Sequence, residues 1–299
     1  MVLKTKTNLL AALTVALALT ACSSDSDQQT SAREIRLFTE VAGSTRAADD
    51  ADALQDTQLA SGTKITVKVK ENASTTSVDY PLTTYTADGL GGLSLPEGVK
   101  QYYPANGNGV NIYAFHPMGA VQTFAVQTDQ TTDAAYKASD LMWASLSDIT
   151  AESTPAQRTL AFDHLLSKIV VTIQKATGFS ETDLATATVT LGNDNLITSG
   201  AFTASTGIFT PAASGTGTIT LATNAGAATY TAIVVPQSIL GKKINLTIGE
   251  VSSSYSILTT KFEPGKRYTY VLIVGYSGSI SLVKSEITDW QNEEIIKSL

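Results

Sequence analysis

The residues able to do chemistry are few: two histidines, one cysteine and 27 acidic side chains in 299 residues. His116 lies in Tyr113-Ala-Phe-His-Pro117 and His164 in Phe162-Asp-His-Leu-Leu-Ser167, and neither has a second histidine at a spacing that grips zinc. Asp163, His164 and Ser167 offer the residue types of a hydrolytic triad. Neighbours along a strand point to opposite faces, however, so Asp163 would not orient His164. Gly275-Tyr-Ser-Gly278 lacks the spacing of a Gly-x-Ser-x-Gly elbow. Gly89-Leu-Gly-Gly92 and Gly215-Thr-Gly217 lead into no helix and no Lys-Ser/Thr pair, so they do not cradle phosphate. Asp49, Asp50 and Asp52 sit in evenly polar surroundings that do not specify a calcium loop. Paired carboxylates for sugar hydrolysis need only be near in space, and no motif points to them. The expectation is a protein without catalysis, metal or cofactor.

Cys22 is the exception, and its context gives it a chemistry. Lys4 and Lys6 precede the apolar run Leu9 to Leu19, and Leu19-Thr-Ala-Cys22 follows. A basic start, a short apolar middle and small residues before a cut make a secretory signal over 1–21, too short to span a bilayer as a mature helix. The Leu-Thr-Ala-Cys ending resembles the bacterial lipobox, in which the cysteine thiol is acylated and becomes the new amino terminus. With no other cysteine the chain has no disulfide framework, so its stability must come from burial. Removing Lys4 and Lys6 from 20 basic residues leaves 18 against 27 acidic ones, a net charge of −9. With no dense basic cluster, that balance argues against nucleic acid, whose phosphates are held by grouped Lys and Arg.

The elements that carry these residues read as strands. Ser23 to Thr30 is a polar tether. Glu34 to Val41 then alternates as an isolated strand, and the polar break Gly43 to Asp50 contains Arg46. From Leu54 onward the period is two: Ile65, Val67 and Val69 alternate with lysines and Thr66, and Val189 with Leu191, and Ile244, Leu246 and Ile248, repeat the pattern. Ile169 to Ile173, Ile233 to Val235 and Tyr268 to Val274 are runs suited to strands covered on both sides. Asn106-Gly-Asn-Gly109, Gly192 to Asn195, Ser214 to Gly217 and Pro264-Gly265 supply turns. Helical pattern is confined to one short turn over Ser180 to Leu184. Many short strands at this spacing predict an all-β sandwich or barrel. The polar stretch Ser147 to Arg158 divides the chain into halves over 47–155 and 156–299, each of a size that one sandwich fills.

Several segments in this order resemble the fimbrillin family of the Bacteroidota, the subunits of type V pili. They are Ser44-Thr-Arg-Ala47, Ala60-Ser-Gly-Thr-Lys-Ile65, Tyr102-Tyr-Pro-Ala-Asn106, Val110 to Pro117, Ser139-Asp-Leu-Met-Trp-Ala144, Phe162 to Lys168, Val234-Val-Pro-Gln237, Phe262 to Tyr270 and Ile287-Thr-Asp-Trp290. The resemblance implies two transthyretin-like β-sandwich domains in tandem. It implies export as a lipoprotein to the outer membrane, then a cut by an arginine-specific protease, here between Arg46 and Ala47. That cut would discard residues 22–46, with Cys22 and the first strand. Arg33 and Arg36 are competing sites. The groove so opened could be filled by a strand of another pilus subunit. If this is a stalk subunit, its own donor strand would come from Ser279 to Val283 or from Glu293 to Leu299, with Ile280, Leu282, Ile296 and Leu299 available to enter the groove. The partners implied are other pilus subunits, the protease, the outer membrane through the lipid, and a ligand on a host or bacterial surface. Tip and anchor subunits share the architecture, and a monomeric surface lipoprotein that binds glycan or host protein is the alternative.

Overall fold

In the computed structural model the described residues are 33–41, 58–72, 80–152, 157–175, 178–223, 228–275 and 277–290. Alternation becomes sheet: Ile65, Val67 and Val69 are buried while Lys64 and Lys70 are exposed. The first part of the chain forms β1 (Leu37–Val41), β2 (Lys64–Glu71), β3 (Thr83–Ala87), β4 (Leu93–Ser94), β5 (Val110–His116), β6 (Thr123–Ala125), helix α1 (Asp133–Ala138), β7 (Met142–Ile149) and β8 (Arg158–His164). After these come β9 (Ser167–Lys175), helix α2 (Glu181–Ala185), β10 (Thr188–Ile197), β11 (Ser199–Thr203), β12 (Ile208–Pro211), β13 (Thr216–Thr220) and β14 (Ala222–Thr223). The remaining strands are β15 (Thr229–Val234), β16 (Lys243–Ile248), β17 (Val251–Ser256), β18 (Lys266–Val274) and β19 (Ile280–Asp289). The all-β class is what the alternation predicted. Helix α2 falls on the predicted turn, its start fixed by a capping box between Ser180 and Asp183.

A seven-stranded sheet has the order β1-β8-β7-β5-β2-β3-β4, antiparallel except for the parallel pair β1/β8. It curls until its two edges meet: Phe38 bridges Gly92, and the Thr39 amide donates to the Gly91 carbonyl at 2.7 Å. The turn that allows this is built by Asp88, whose carboxylate accepts from the amides of Leu90 and Gly92. Gly91 sits at φ +97°, and a Cβ there would come within 3.2 Å of the Thr39 carbonyl, so only glycine lets β1 approach so closely. Inside the curl lies one apolar cluster, including Leu37, Ile65, Ile112, Leu160 and Phe162.

A second, larger cluster joins a four-stranded sheet (β13-β10-β16-β17), a five-stranded sheet (β14-β15-β9-β18-β19) and a three-stranded sheet (β12-β11-β6). Leu191 and Leu246 of the four-stranded sheet share it with Val171 and Leu272 of the five-stranded sheet, as the inner faces of a sandwich do. Two glutamines lock strands from within. Gln130 exchanges both amide hydrogen bonds with the Ile233 backbone at 2.8 Å, and Gln237 does the same with Ile197 at 2.8 and 2.9 Å. Each side chain thus takes the place of a missing strand residue.

The division drawn at 155/156 does not coincide with the change of sheet. β8 follows it yet lies between β1 and β7, and β6 precedes it yet pairs with β11. The chain passes from the seven-stranded to the five-stranded sheet at Leu165 and Leu166. Phe115, Tyr136 and Leu141 of the first half also belong to the larger cluster, where Phe115 meets Phe202 edge-on at 5.7 Å.

Candidate functional site

The segment around β1 is built differently on its two flanks. Ile35, Leu37, Thr39 and Val41 are buried, Arg36 and Glu40 exposed and Phe38 half-buried, so one row of side chains enters the core. On one flank a continuous parallel ladder runs from Leu37 opposite Arg158 to Val41 opposite Phe162. On the other flank, among the described residues, the backbone bonds are scattered: Ile35 donates to the Gln101 carbonyl at 2.8 Å, Tyr103 to the Arg33 carbonyl at 2.8 Å, and Thr39 to that of Gly91. Between these points opens a cleft of about 590 Å³, lined by residues 34–38, Tyr85, Asp88 and the 92–99 turn.

Tyr85 stands behind the start of β1, its hydroxyl donating to Gln101 Oε1 at 2.9 Å, while Gln101 Nε2 donates to Thr83 Oγ1 at 2.8 Å. Burial, and secondarily the nearby Glu34 carboxylate, push the Tyr85 phenol far above its ordinary value. Tyr85 is therefore uncharged and sits with the buried Ile35 and Leu37 as an apolar floor, while Glu34, Arg36, Asp88 and Glu97 also line the cleft. Burying Ile35, Leu37 and Val41 contributes about 1.5–3 kcal/mol apiece. An empty groove here would leave that apolar floor and one side of β8 uncovered, which a strand of matching alternation can cover.

Of the residues singled out in the sequence, Cys22, Arg46, Ala47, Ile296 and Leu299 lie outside the described residues. Ile280 and Leu282 belong to β19, opposite Val274 and Leu272 of β18, and pack half-buried against the larger cluster. The structure thus brings Ile280 and Leu282 together in a folded edge strand, distant in topology from β1.

The histidines are placed as structural groups. Asp163 is exposed and His164 buried on β8, as alternation requires. His164 Nδ1 instead lies 2.8 Å from Asp140 Oδ1, and its ring stacks on Trp290 at 3.9 Å with 11° between planes. The Ser167 hydroxyl donates to the Glu263 carbonyl at 2.7 Å and faces no histidine. Asp140 escaped sequence reasoning because it stands 24 positions before His164, and only the closing of β7 on β8 joins them. His116 Nδ1 lies 3.1 Å from the Lys64 carbonyl, so this nitrogen carries a proton. Among the described residues no group of three or more His, Cys, Asp or Glu side chains could hold a metal.

These features define an all-β sandwich protein whose distinctive site is a short strand paired in parallel on one flank and bordered by a cleft on the other. A family model described as fimbrillin-like matches residues 45–290. The chain belongs to that fimbrillin-like family. Among solved structures it is similar to a candidate cell adhesion protein from Bacteroides uniformis, at 22% identity and a TM-score of 0.65 over 86% of this chain and 98% of that one. A second candidate cell adhesion protein, from Bacteroides ovatus, matches at 17% identity and a TM-score of 0.65 over 88% and 99%. A fimbrial protein from Bacteroides ovatus matches at 16% identity and a TM-score of 0.50 over 83% of this chain and 53% of that one. At these identities the likeness is one of fold. No curated protein matches.

Proposed function

We propose that this chain is a structural and adhesive subunit of a type V pilus, made as a lipoprotein and assembled by strand exchange. Family membership supports the general role. The observation that carries the mechanism is β1: a short strand with three buried residues at alternating positions, Leu37, Thr39 and Val41, followed within a few residues by Arg46. In this reading Cys22 carries the lipid that brings the precursor to the outer membrane. An arginine-specific protease then cuts between Arg46 and Ala47, β1 departs with the lipid, and a donor strand of another subunit takes its place beside β8. Such a joint repeats head to tail without closing, so it yields a filament. A surface ligand completes the adhesive role.

For the donor, the folded state of Ile280 and Leu282 favours the segment beyond Trp290, with Ile296 and Leu299 as the entering side chains. Removing β19 would strip nine paired positions from β18, whereas the segment after Trp290 breaks none of that ladder. The deciding measurement is the amino-terminal residue of the protein on cells together with the phenotype of Arg46→Ala. Ala47 as the terminus, and a lipid-bearing, unpolymerised Arg46→Ala precursor, are the expected results. Normal filaments from Arg46→Ala would remove this arginine from the mechanism. A lipidated Cys22 terminus on an active monomer would favour a surface-bound binder.

A further inference from the structure

β19 closes one side of the five-stranded sheet, and among the described residues no strand pairs with its outer edge. An open edge of this length is a template for another strand. Its middle, Val283-Lys-Ser-Glu-Ile287, is unusual in its order. Val283 and Ile287 are each 53% exposed, and the side chains of Lys284 and Glu286 are 58% and 36% exposed. A bulge places Lys284 opposite Val271 and Leu282 opposite Leu272, leaving Val283 as the extra residue without a partner in β18.

We propose that this edge docks a second copy of the chain, the two β19 strands running antiparallel about a two-fold axis through Ser285. Directly opposed residues in an antiparallel pair share a face, with Cβ atoms about 4.5–5.5 Å apart. About that axis Lys284 opposes Glu286 of the second copy, Val283 opposes Ile287, and the symmetry makes each contact twice. The adjacent registers lose the match. Centring on Lys284 or on Glu286 sets like charges against each other, and a half-step shift sets Lys284 against Ser285.

Charges and bulges on edge strands commonly serve to repel other strands. Here their order is self-complementary, so it repels a shifted or foreign strand and accepts its own copy. In the single chain Lys284 Nζ already lies 2.7 Å from Glu286 Oε2. Pairing trades that contact for one across the axis, so the charges set register while backbone bonds and the Val283–Ile287 contacts supply attraction. One strand per copy makes a weak joint, effective where many copies stand in a row. The joint requires β19 to stay in its own sheet and does not depend on strand exchange at β1.

The test is cross-linking of the full chain in a Cys22→Ser background, which removes the native thiol. Ser285→Cys places a thiol on the axis. Ser281→Cys places one opposite Asp289 of the second copy, so the two thiols stand eight residues apart, roughly 26 Å. Under mild oxidation Ser285→Cys should form disulfide dimers at least tenfold faster than Ser281→Cys, and adding Lys284→Glu should slow it at least tenfold. Mixing Lys284→Glu with Glu286→Lys chains, both carrying Ser285→Cys, should restore the rate as heterodimers, because every charge again meets its opposite. Equal rates for the two cysteine positions, no dimer from either, or no heterodimer from the mixture would overturn the proposal.

Discussion

At the scale of single residues, the polar groups with the most influence are those that complete the backbone's hydrogen bonding. Gln237 was visible in the sequence only as the end of Val234-Val-Pro-Gln237, because nothing local says that its amide will grip Ile197, 40 positions earlier. Gln237→Leu leaves the Ile197 amide and carbonyl unpaired, and urea unfolding should show a loss of about 1–3 kcal/mol. Tyrosines carry a second prediction. Burial raises the Tyr270 phenol from 10.0 to about 12. A folded-state value above the unfolded one means that the contribution is whole below pH 10 and lost as pH climbs from about 10 towards 12. Tyrosinate absorbance and circular dichroism followed together should show the fold weakening through that window, and Tyr270→Phe should flatten part of the decline. The dismissal of a triad around His164 was legible from alternation alone, whereas its actual partner, Asp140, was not, since pairs closed by β7 meeting β8 leave no local trace.

At the scale of elements, strands with strict alternation declared themselves. β2, with Ile65, Val67 and Val69, and β16, with Ile244, Leu246 and Ile248, lie on the predicted runs. The three-residue β6 and the six-residue α1 did not, because both are too short to show a period and are stabilised by what they touch. β1 was predicted as a strand, but its parallel register and the turn at Gly91 that closes on it are long-range facts. Leu37→Ala should cost about 2–5 kcal/mol by denaturant unfolding, as a buried leucine truncated in a formed core does. Gly207 offers a sharper contrast. At φ +69° a Cβ would meet the Trp143 ring at 2.4 Å, so Gly207→Ala should displace the indole whose Nε1 donates to the Ala204 carbonyl. A shift in Trp143 fluorescence would report it, and an unchanged spectrum would show that the hairpin gives way instead.

At the scale of the whole molecule, composition foretold burial without disulfides, and two apolar clusters supply it. The polar stretch after Ser147 looked like a seam because charge and proline mark exposed chain, yet exposure is a property of loops and does not reveal which sheet the next strand enters. Leu160 and Phe162, both fully buried in the first cluster, lie beyond it. A chain ending at residue 155 should therefore show no cooperative thermal transition, whereas one that includes β8 retains the buried wall of that cluster. Cooperative melting of the shorter chain would show that the first cluster closes without β8.

The same β8 sets a timetable. Leu37 pairs with Arg158, 121 positions further on, and the pairing is parallel, so no hairpin can bring the two together early. Contacts of such high sequence separation form late in folding, since the loop they close must first be ordered. On a chain made amino terminus first, β1 emerges long before its partner exists. It waits, unpaired and apolar on one side, until nearly half the chain has followed. The strand that closes the sheet is among the first parts of the chain to be made and among the last to find its place.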